Sequence, residues 1–460
     1  MSERFNRREC LRKGATGILA GAALGAGVLD LSAAEISKDE SLKPVRLGVV
    51  GLGPRGKFLL EYLISHYPGV SIPALCELDD NRLQEGIAIV KRITGATPVG
   101  YCKGEYEYRN MFQRDDLDSI VVATGVQVLG RISIDAMKAG KHVGSEVSGP
   151  YSLDDCWGIV EEKERSGKHY MLLEQCCYGD INLMILGMIK RGMFGEPYYA
   201  ECSYIHDCRV DGAGKSRYVQ PDHTLSWRGQ MLADGHGNSY PGHAIASPAK
   251  WLGVNDGDRF DFCNAMMNDP RELQDQMVEQ FGPESQEAKI PFQSGDFVST
   301  FVRTVKGRMI RIDYSPSCTR PKSQYYLMQG LRGCYDSRTG MYVRGNGPRI
   351  ANAEWRPVGE FLKKHRHPWW SKEGEKALQS GGHAGMELFC FRDFVDMIRY
   401  DREPWVDCYD AATYGAITSC SQMSIDRKGG PVEIPDFTKG KWKDPDWRKD
   451  RPGPASVISA

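Results

Sequence analysis

An excess of charge of one sign is missing from this chain. Its 460 residues carry a formal net charge of -1, and nothing in that balance suggests nucleic acid or an anionic membrane as partner. Metal-ligand spacing is missing as well. The 14 cysteines include no Cys-x-x-Cys pair, and no Cys/His set has zinc-site spacing, so no metal is expected. Thirteen cysteines follow the first apolar run, and a chain folded in a reducing compartment keeps such thiols reduced. The adjacent Cys176-Cys177 reads as packing rather than as a redox pair. Internal repeats and low-complexity tracts are absent.

Long apolar runs are also scarce, with one exception near the start. Asn6-Arg7-Arg8-Glu9-Cys10-Leu11-Arg12-Lys13 precedes a run from Gly14 to Leu31 that is rich in Gly and Ala. That order reads as a twin-arginine export signal over residues 1–34, with Ser32-Ala33-Ala34 as a cleavage site of small residues. The run is weakly hydrophobic for a membrane anchor, which remains the alternative. The expected mature chain is soluble, periplasmic and without a membrane span. Residues 35–44 are polar, end in Pro44 and read as a linker.

Val45 to Gly51 is a short β-branched run that leads into Gly51-Leu52-Gly53-Pro54-Arg55-Gly56. Arg55 to Tyr67 then has helical spacing, and Val70 to Leu75 reads as a second strand. A Gly-x-Gly-x-x-Gly between a strand and a helix is the context of a dinucleotide-binding turn. Gly51 permits the tight turn, Gly53 lets the backbone approach a pyrophosphate, and Gly56 lets the helix pack on the strand. Glu77 lies where an acid can bind ribose hydroxyls and disfavour a 2′-phosphate, so NAD is expected; Asp79 is the rival. Further strands at Ile120–Ala123 and His142–Val147, with helical segments between, complete a doubly wound parallel sheet over residues 45–170. An exported enzyme has no ready supply of soluble nicotinamide cofactor. Chemistry that regenerates a bound cofactor in each turnover suits it better than an ordinary dehydrogenase does.

From Tyr170 the pattern changes. Strand-like runs at Tyr198–Tyr204, Asp296–Thr304 and Met309–Tyr314 follow one another with little helix between. They predict an α+β domain over residues 171–430 with an open mixed or antiparallel sheet. Arg320 to Ser380 reads as long loops over a site, Met386 to Tyr400 as a helix, and residues 431–460 as a tail wrapping the surface.

Thr124 and His142-Val143-Gly144-Ser145-Glu146-Val147 resemble the Gfo/Idh/MocA oxidoreductases, with Val147 where most of those dehydrogenases carry Lys. Several later segments stand in one family's order: Leu173-Glu174-Gln175-Cys176-Cys177-Tyr178-Gly179, Tyr204-Ile205-His206-Asp207, Trp227-Arg228, Gly237-Asn238-Ser239-Tyr240-Pro241-Gly242-His243, Gly382-His383-Ala384-Gly385-Met386-Glu387 and Pro435-Asp436-Phe437-Thr438. Together they resemble glycoside hydrolase family 109, the NAD-dependent α-N-acetylgalactosaminidases, over nearly the whole chain. The resemblance implies a Rossmann fold and a redox-neutral hydrolysis of a small glycoside. NAD+ takes a hydride from sugar C3, the C2 proton and then the aglycone leave, water adds at C1, and the hydride returns. Such enzymes stand outside the usual two-carboxylate scheme.

Carried over residue by residue, the resemblance makes Pro54, Arg55, Glu77, Glu146 and Val147 cofactor contacts, together with Thr124, Leu129 and Gln175. Tyr204, Arg228, Tyr240, Pro241, Gly242 and His243 fall on substrate positions, and so does Lys322. His243 is the candidate for proton transfer, with Tyr240 sharing that work or orienting a sugar hydroxyl. The alternatives are a His bonded to backbone, and Tyr240 and Tyr204 as buried packing aromatics. His206, His236 and His383 are further candidates to share the proton transfer. His206-Asp207 reads equally as a pair lining the site or as a surface pair. The Trp369-Trp370 pair reads as loop packing before sugar stacking. Four positions depart from the family's usual residues: Leu129 for an imidazole, Gln175 for Asn, Gly242 for Thr, and Lys322 for Tyr. The same residues also suit an exported sugar oxidoreductase shuttling hydride on a tightly held cofactor, or a non-catalytic carbohydrate-binding protein. A homo-oligomer is expected by analogy.

Overall fold

The computed structural model describes residues 42–458. The export-signal reading, and most of the linker reading, falls on residues 1–41 and lies outside the described residues.

The first sheet is built from short strands, buried at its centre. β1 (Val45–Val50), β2 (Val70–Cys76), β3 (Val99–Tyr101), β4 (Ser119–Val122), β5 (His142–Ser145) and β6 (Tyr170–Leu172) pair in parallel in the order β3-β2-β1-β4-β5-β6. Helices α1 (Pro54–His66), α2 (Asp80–Thr94), α3 (Tyr108–Phe112), α4 (Val126–Lys138) and α5 (Leu153–Ser166) connect them. Burial on both faces explains why the central strands β1 and β4 are runs of Val, Ile and Leu with little polar alternation, whereas β3 at the edge is exposed. The order reverses between β1 and β4, so a crevice opens at the carboxyl ends of those strands.

Helix ends follow local chemistry. Asp79 caps α2, accepting from the Arg82 amide at 3.1 Å. Ser152 and Asp155 form a capping box at the start of α5.

The second sheet has eight strands in the order β13-β12-β11-β7-β10-β9-β8-β14. They are β7 (Pro197–Ile205), β8 (Phe260–Met267), β9 (Val298–Thr304), β10 (Met309–Ser315), β11 (Tyr326–Gly330), β12 (Gly333–Asp336), β13 (Gly340–Val343) and β14 (Val432–Glu433). β7 and β10 pair in parallel and the remaining neighbours are antiparallel, so the sheet is mixed. One face packs on the core. The ladder places Met266, Phe301 and Met309 together on the other face, where all three are exposed.

More of the second half is helical than its strand runs suggest. It holds α6 (Asp180–Lys190), α7 (Trp227–Asp234), α8 (Gly242–Trp251), α9 (Arg271–Phe281), α10 (Val358–His365), α11 (Pro368–Gln379), α12 (Met386–Arg399) and α13 (Cys408–Asp426). The stretch Arg320 to Ser380 is not a set of long loops: it contains β11, β12, β13, α10 and α11. Several of these helices are buried along most of their length, and in α13 this removes the amphipathic stripe that reveals a helix in a sequence. α13 is the clearest case. It packs against α5 of the first layer and β8 of the second sheet, so it joins the two.

The tail does more than wrap the surface. Arg448 is buried and donates to Asp407 at 2.9 Å and to Asp410 at 3.0 Å, at the capping box of α13, where Arg451 and Lys250 add further ion pairs. These carboxylates are paired and hydrogen-bonded, as buried charges must be. Among the described residues no helix is long and apolar enough to cross a membrane.

Candidate active site

The dinucleotide-type turn is assembled by contact distances that only glycine permits. Gly51 follows β1 at φ +90°, and a Cβ there would lie 2.6 Å from the Ala123 carbonyl oxygen. A Cβ on Gly56, one turn into α1, would lie 1.9 Å from the Gly51 oxygen. Gly53 is different, because a Cβ there would meet nothing within 4 Å. The fold therefore uses Gly51 and Gly56 to close the turn, while Gly53 faces open space. That space is a cavity of about 520 Å³, lined by Gly51, Gly53, Glu77, Thr124, Gln127 and Trp227 among others. Its position at the switch point of the sheet, on a helix N-terminus, fits a dinucleotide.

The residues around the cavity divide into those that face it and those that do not. The Glu77 carboxylate accepts from the backbone amides of Leu52 at 2.6 Å and Leu78 at 2.7 Å, fixing the turn from below. Asp79, its rival, is spent on capping α2. Pro54 and Arg55 open α1, and Thr124 lies just beyond β4. Arg55 donates to Glu146 at 3.0 Å and to Glu387 at 3.3 Å, yet its Nη2 is buried without a partner beside the turn. Gln175 opens a short 3-10 turn with Oε1 buried and unbonded. These orphaned groups are what a site for a polar ligand leaves behind. Leu129 is a correction. It is fully buried on the inner side of α4, and its neighbours Gln127, Val128 and Arg131 line the cavity instead, because helical periodicity turns position 129 inward.

On the adjoining wall stand the proton-transfer candidates. Pro241, Gly242 and His243 start α8, and the His243 ring lies 5.2 Å from that of Tyr204 and 5.6 Å from that of Tyr240. Tyr240 donates to the Val147 carbonyl at 2.8 Å, which ties this wall to the end of β5. Behind His243 is a residue that the sequence reading quoted in a motif but gave no role. Glu174 is fully buried, and its carboxylate oxygens lie 2.9 Å and 3.1 Å from His243 Nδ1. The neighbouring imidazole and the Cys176 amide hold the Glu174 carboxyl below its usual range against the opposing effect of burial. An imidazole that gives its Nδ1 hydrogen to the Glu174 carboxylate keeps Nε2 for another partner. The His243 carbonyl accepts from Gln324 at 3.0 Å and Tyr326 at 2.7 Å, so backbone and ring are both held. A lone Glu-Gln dipeptide gives no sign of this pairing, because the two partners are 69 residues apart.

The other histidines have different partners. His236 pairs with Asp426 at 2.9 Å, away from His243. His383 bonds Glu387 through both its backbone and its ring, at the start of α12. His206 lies near the site, its ring 5.7 Å from Tyr204, but its Nδ1 meets the Asp207 carbonyl at 3.0 Å while the Asp207 carboxylate is taken by Arg209. Trp370 is buried and donates to the Tyr178 carbonyl at 2.8 Å, so the tryptophan pair is packing in a helix rather than in a loop. Arg228 stacks its guanidinium 4.2 Å from the Trp227 ring and 5.9 Å from that of Tyr240. Lys322 is exposed.

Gly242 is constrained by its surroundings. A Cβ there would lie 2.7 Å from Val147 Cγ1 and 3.6 Å from the Glu174 carboxylate. In this backbone, Gly242→Thr is expected to cost about 1–3 kcal/mol through overpacking. Combining it with Val147→Ala should restore most of the loss, as read by denaturant unfolding. A Gly242→Thr variant as stable as the parent would show that the wall yields freely.

Residues 178–444 match the profile of the glycosyl hydrolase 109 C-terminal domain. A glycosyl hydrolase family 109 protein of Solibacter usitatus (strain Ellin6076) is 33% identical, over 88% of this chain and 91% of its own length. The chain belongs to glycosyl hydrolase family 109. Its fold is also that of solved oxidoreductases. The levoglucosan dehydrogenase structure in complex with NADH and levoglucosan superposes with a TM-score of 0.60 at 18% identity, covering 85% of this chain and 100% of that one. The WlbA dehydrogenase from Bordetella pertussis, in complex with NADH and UDP-GlcNAcA, gives a TM-score of 0.58 at 17% identity, covering 85% and 98%. At such identities the likeness is one of fold, and the family membership rests on the sequence matches.

Proposed function

We propose that this family 109 member is a glycoside hydrolase that works with a bound NAD. The reading rests on one observation above the rest: a buried carboxylate and an imidazole at hydrogen-bond distance, Glu174 and His243, beside two tyrosines on a wall adjoining a dinucleotide-shaped cradle. Gly51, Gly53 and Glu77, with Arg55 behind the turn, would hold the cofactor. When bound, it supplies a reversible acceptor for hydride at a sugar carbon. The rest of the work falls to the chain. A ring carbon next to a carbonyl gives up its proton readily, and His243 Nε2 is the base that takes this proton and returns it after the aglycone has gone. Glu174 holds that base in one tautomer. Tyr240, anchored on the Val147 carbonyl, positions a sugar hydroxyl. The Lys of the ordinary dehydrogenases is replaced by the apolar, buried Val147, which removes the usual acid-base group for simple alcohol oxidation.

The test uses the purified chain without added cofactor. Co-purified NAD(H) is measured, and aryl glycosides are offered in deuterated buffer. Turnover with deuterium at sugar C2 and no net NADH is the expected result. Hydride exchange between sugars without deuterium at C2 would overturn the hydrolase in favour of an oxidoreductase. We further propose export by the twin-arginine route to the periplasm; replacing Arg7 and Arg8 by Lys should retain the protein in the cytoplasm. The exposed Met266, Phe301 and Met309 face of the second sheet supports a homo-oligomer, to be read by analytical ultracentrifugation.

A further inference from the structure

Three cations meet beside the site without a carboxylate to neutralise them. An antiparallel bridge pairs Ile205 with Ser323, and the Ser323 amide donates to the Ile205 carbonyl at 2.8 Å. That register places Lys322 across from His206, one residue past the end of β7. A second short ladder pairs Val210 with Ser216 and brings the Arg217 amide to the Arg209 carbonyl at 3.0 Å. Ser226 then joins Arg217 to Arg228. Its hydroxyl donates to the Arg217 carbonyl at 2.6 Å and caps α7, on whose first turn Arg228 lies.

The acids nearby are already engaged. Arg209 binds Asp207 through Nε at 2.9 Å and Nη2 at 3.0 Å, and reaches Glu272 at 2.8 Å. Glu174 holds His243. Among the described residues, Arg217, Arg228 and Lys322 have no carboxylate within ion-pair distance. Arg228 is half-buried against the Trp227 and Tyr240 rings, one residue from the lining of the cofactor cavity. After burial, these three positive charges are what hold the His206 imidazole below its usual range. They act on the Cys208 thiol as well, against its burial. Like charges gathered at a half-buried place repel one another, and an incoming anion removes that cost. The cofactor's phosphates do not require them, since the Gly51–Gly56 turn has its own amides and its own arginine, Arg55.

We propose that the glycoside taken by this site is anionic, carrying a carboxylate or a sulfate that Lys322, Arg217 and Arg228 receive beside His206. This rests on the glycosidase reading and specifies its substrate class. Arg228 offers a planar fork with its stem fixed by stacking, whereas Lys322 contributes a mobile point charge from the rim. The departure from Tyr at position 322 then changes what the site selects.

The experiment uses the purified, cofactor-retaining chain. Aryl hexosides of gluco and galacto configuration are compared with the corresponding hexuronides and 6-sulfates. At least one charged series should exceed its neutral parent tenfold or more in kcat/KM at low salt, mainly through KM, with the gain shrinking as NaCl rises. The uronide and sulfate arms tell which anion is used. K322Q and R217Q should each reduce the charged-to-neutral ratio severalfold, and K322R should keep most of it. Neutral glycosides turned over as well as both charged series would overturn the proposal and leave the glycosidase reading intact. So would equal losses on charged and neutral substrates in K322Q. If nothing is turned over, the glycosidase reading fails, and calorimetric binding of methyl glycosides decides the present one. Tenfold tighter binding of a charged methyl glycoside upholds it; equal or absent binding overturns it.

Discussion

His243→Ala is expected to lower kcat/KM on any glycoside the protein accepts by about 10²–10⁴, the usual contribution of a positioned acid-base group. Stability should fall as well, because the substitution leaves the fully buried Glu174 carboxylate without its imidazole partner, so the rate is compared on folded protein. Glu174→Gln should cost about 10²-fold. A glutamine of the same shape can still accept from Nδ1, but it brings no negative charge to support a protonated imidazole. On this proposed mechanism Glu174 positions His243, and a purely packing role would give a different pattern. If it acts through His243, the loss falls on kcat more than on KM. In the double variant, Glu174→Gln should then add almost nothing to His243→Ala. Additive losses, or a KM effect alone, would remove the pair from the chemistry. Cys176→Ser should leave most of the rate, since burial and the Glu174 charge hold that thiol protonated.

The fold was legible where burial and spacing act locally. β1, the glycine turn and α1 follow from a β-branched run and three glycines within six residues, and the structure has them within a residue of expectation. The strands β7, β9 and β10 show for the same reason. What was not legible depends on distant partners. α13 lacks a polar face because other layers cover it, so no period marks it. The strands β11, β12 and β13 are four or five residues long and lie among Gly, Arg and Tyr, which reads as loop until β7 provides an edge to pair with. At the site, His243 was named as a candidate from its motif, and the structure sets its ring beside those of Tyr204 and Tyr240. Its carboxylate partner could not be named that way, because the Glu174–His243 contact spans two elements that only the tertiary fold brings together. Leu129 failed for the opposite reason: position in a motif was followed where helical phase decides, and the phase turns that residue into the core.

Two glycines of the turn separate folding from binding, and their alanine variants should behave oppositely. Gly56→Ala places a methyl 1.9 Å from the Gly51 carbonyl, a backbone atom that cannot move without opening the packing of α1 on β1. The expected loss exceeds about 4 kcal/mol, in the range reserved for core disruption, so soluble yield and melting temperature should both collapse. Gly53→Ala meets no protein atom within 4 Å and has φ −60°, which alanine adopts without strain. Its apo-protein should melt within a degree or two of the parent. The methyl nevertheless projects into the space where a pyrophosphate has to approach the backbone, so retained dinucleotide should fall by about 100-fold or more. Measuring bound NAD(H) and the melting curve on both variants distinguishes a cofactor cradle from a merely structural turn. If Gly53→Ala kept its dinucleotide in full, or if neither parent nor variant bound one, the glycines would be serving the fold alone, and the chemistry proposed for His243 would lose its hydride acceptor.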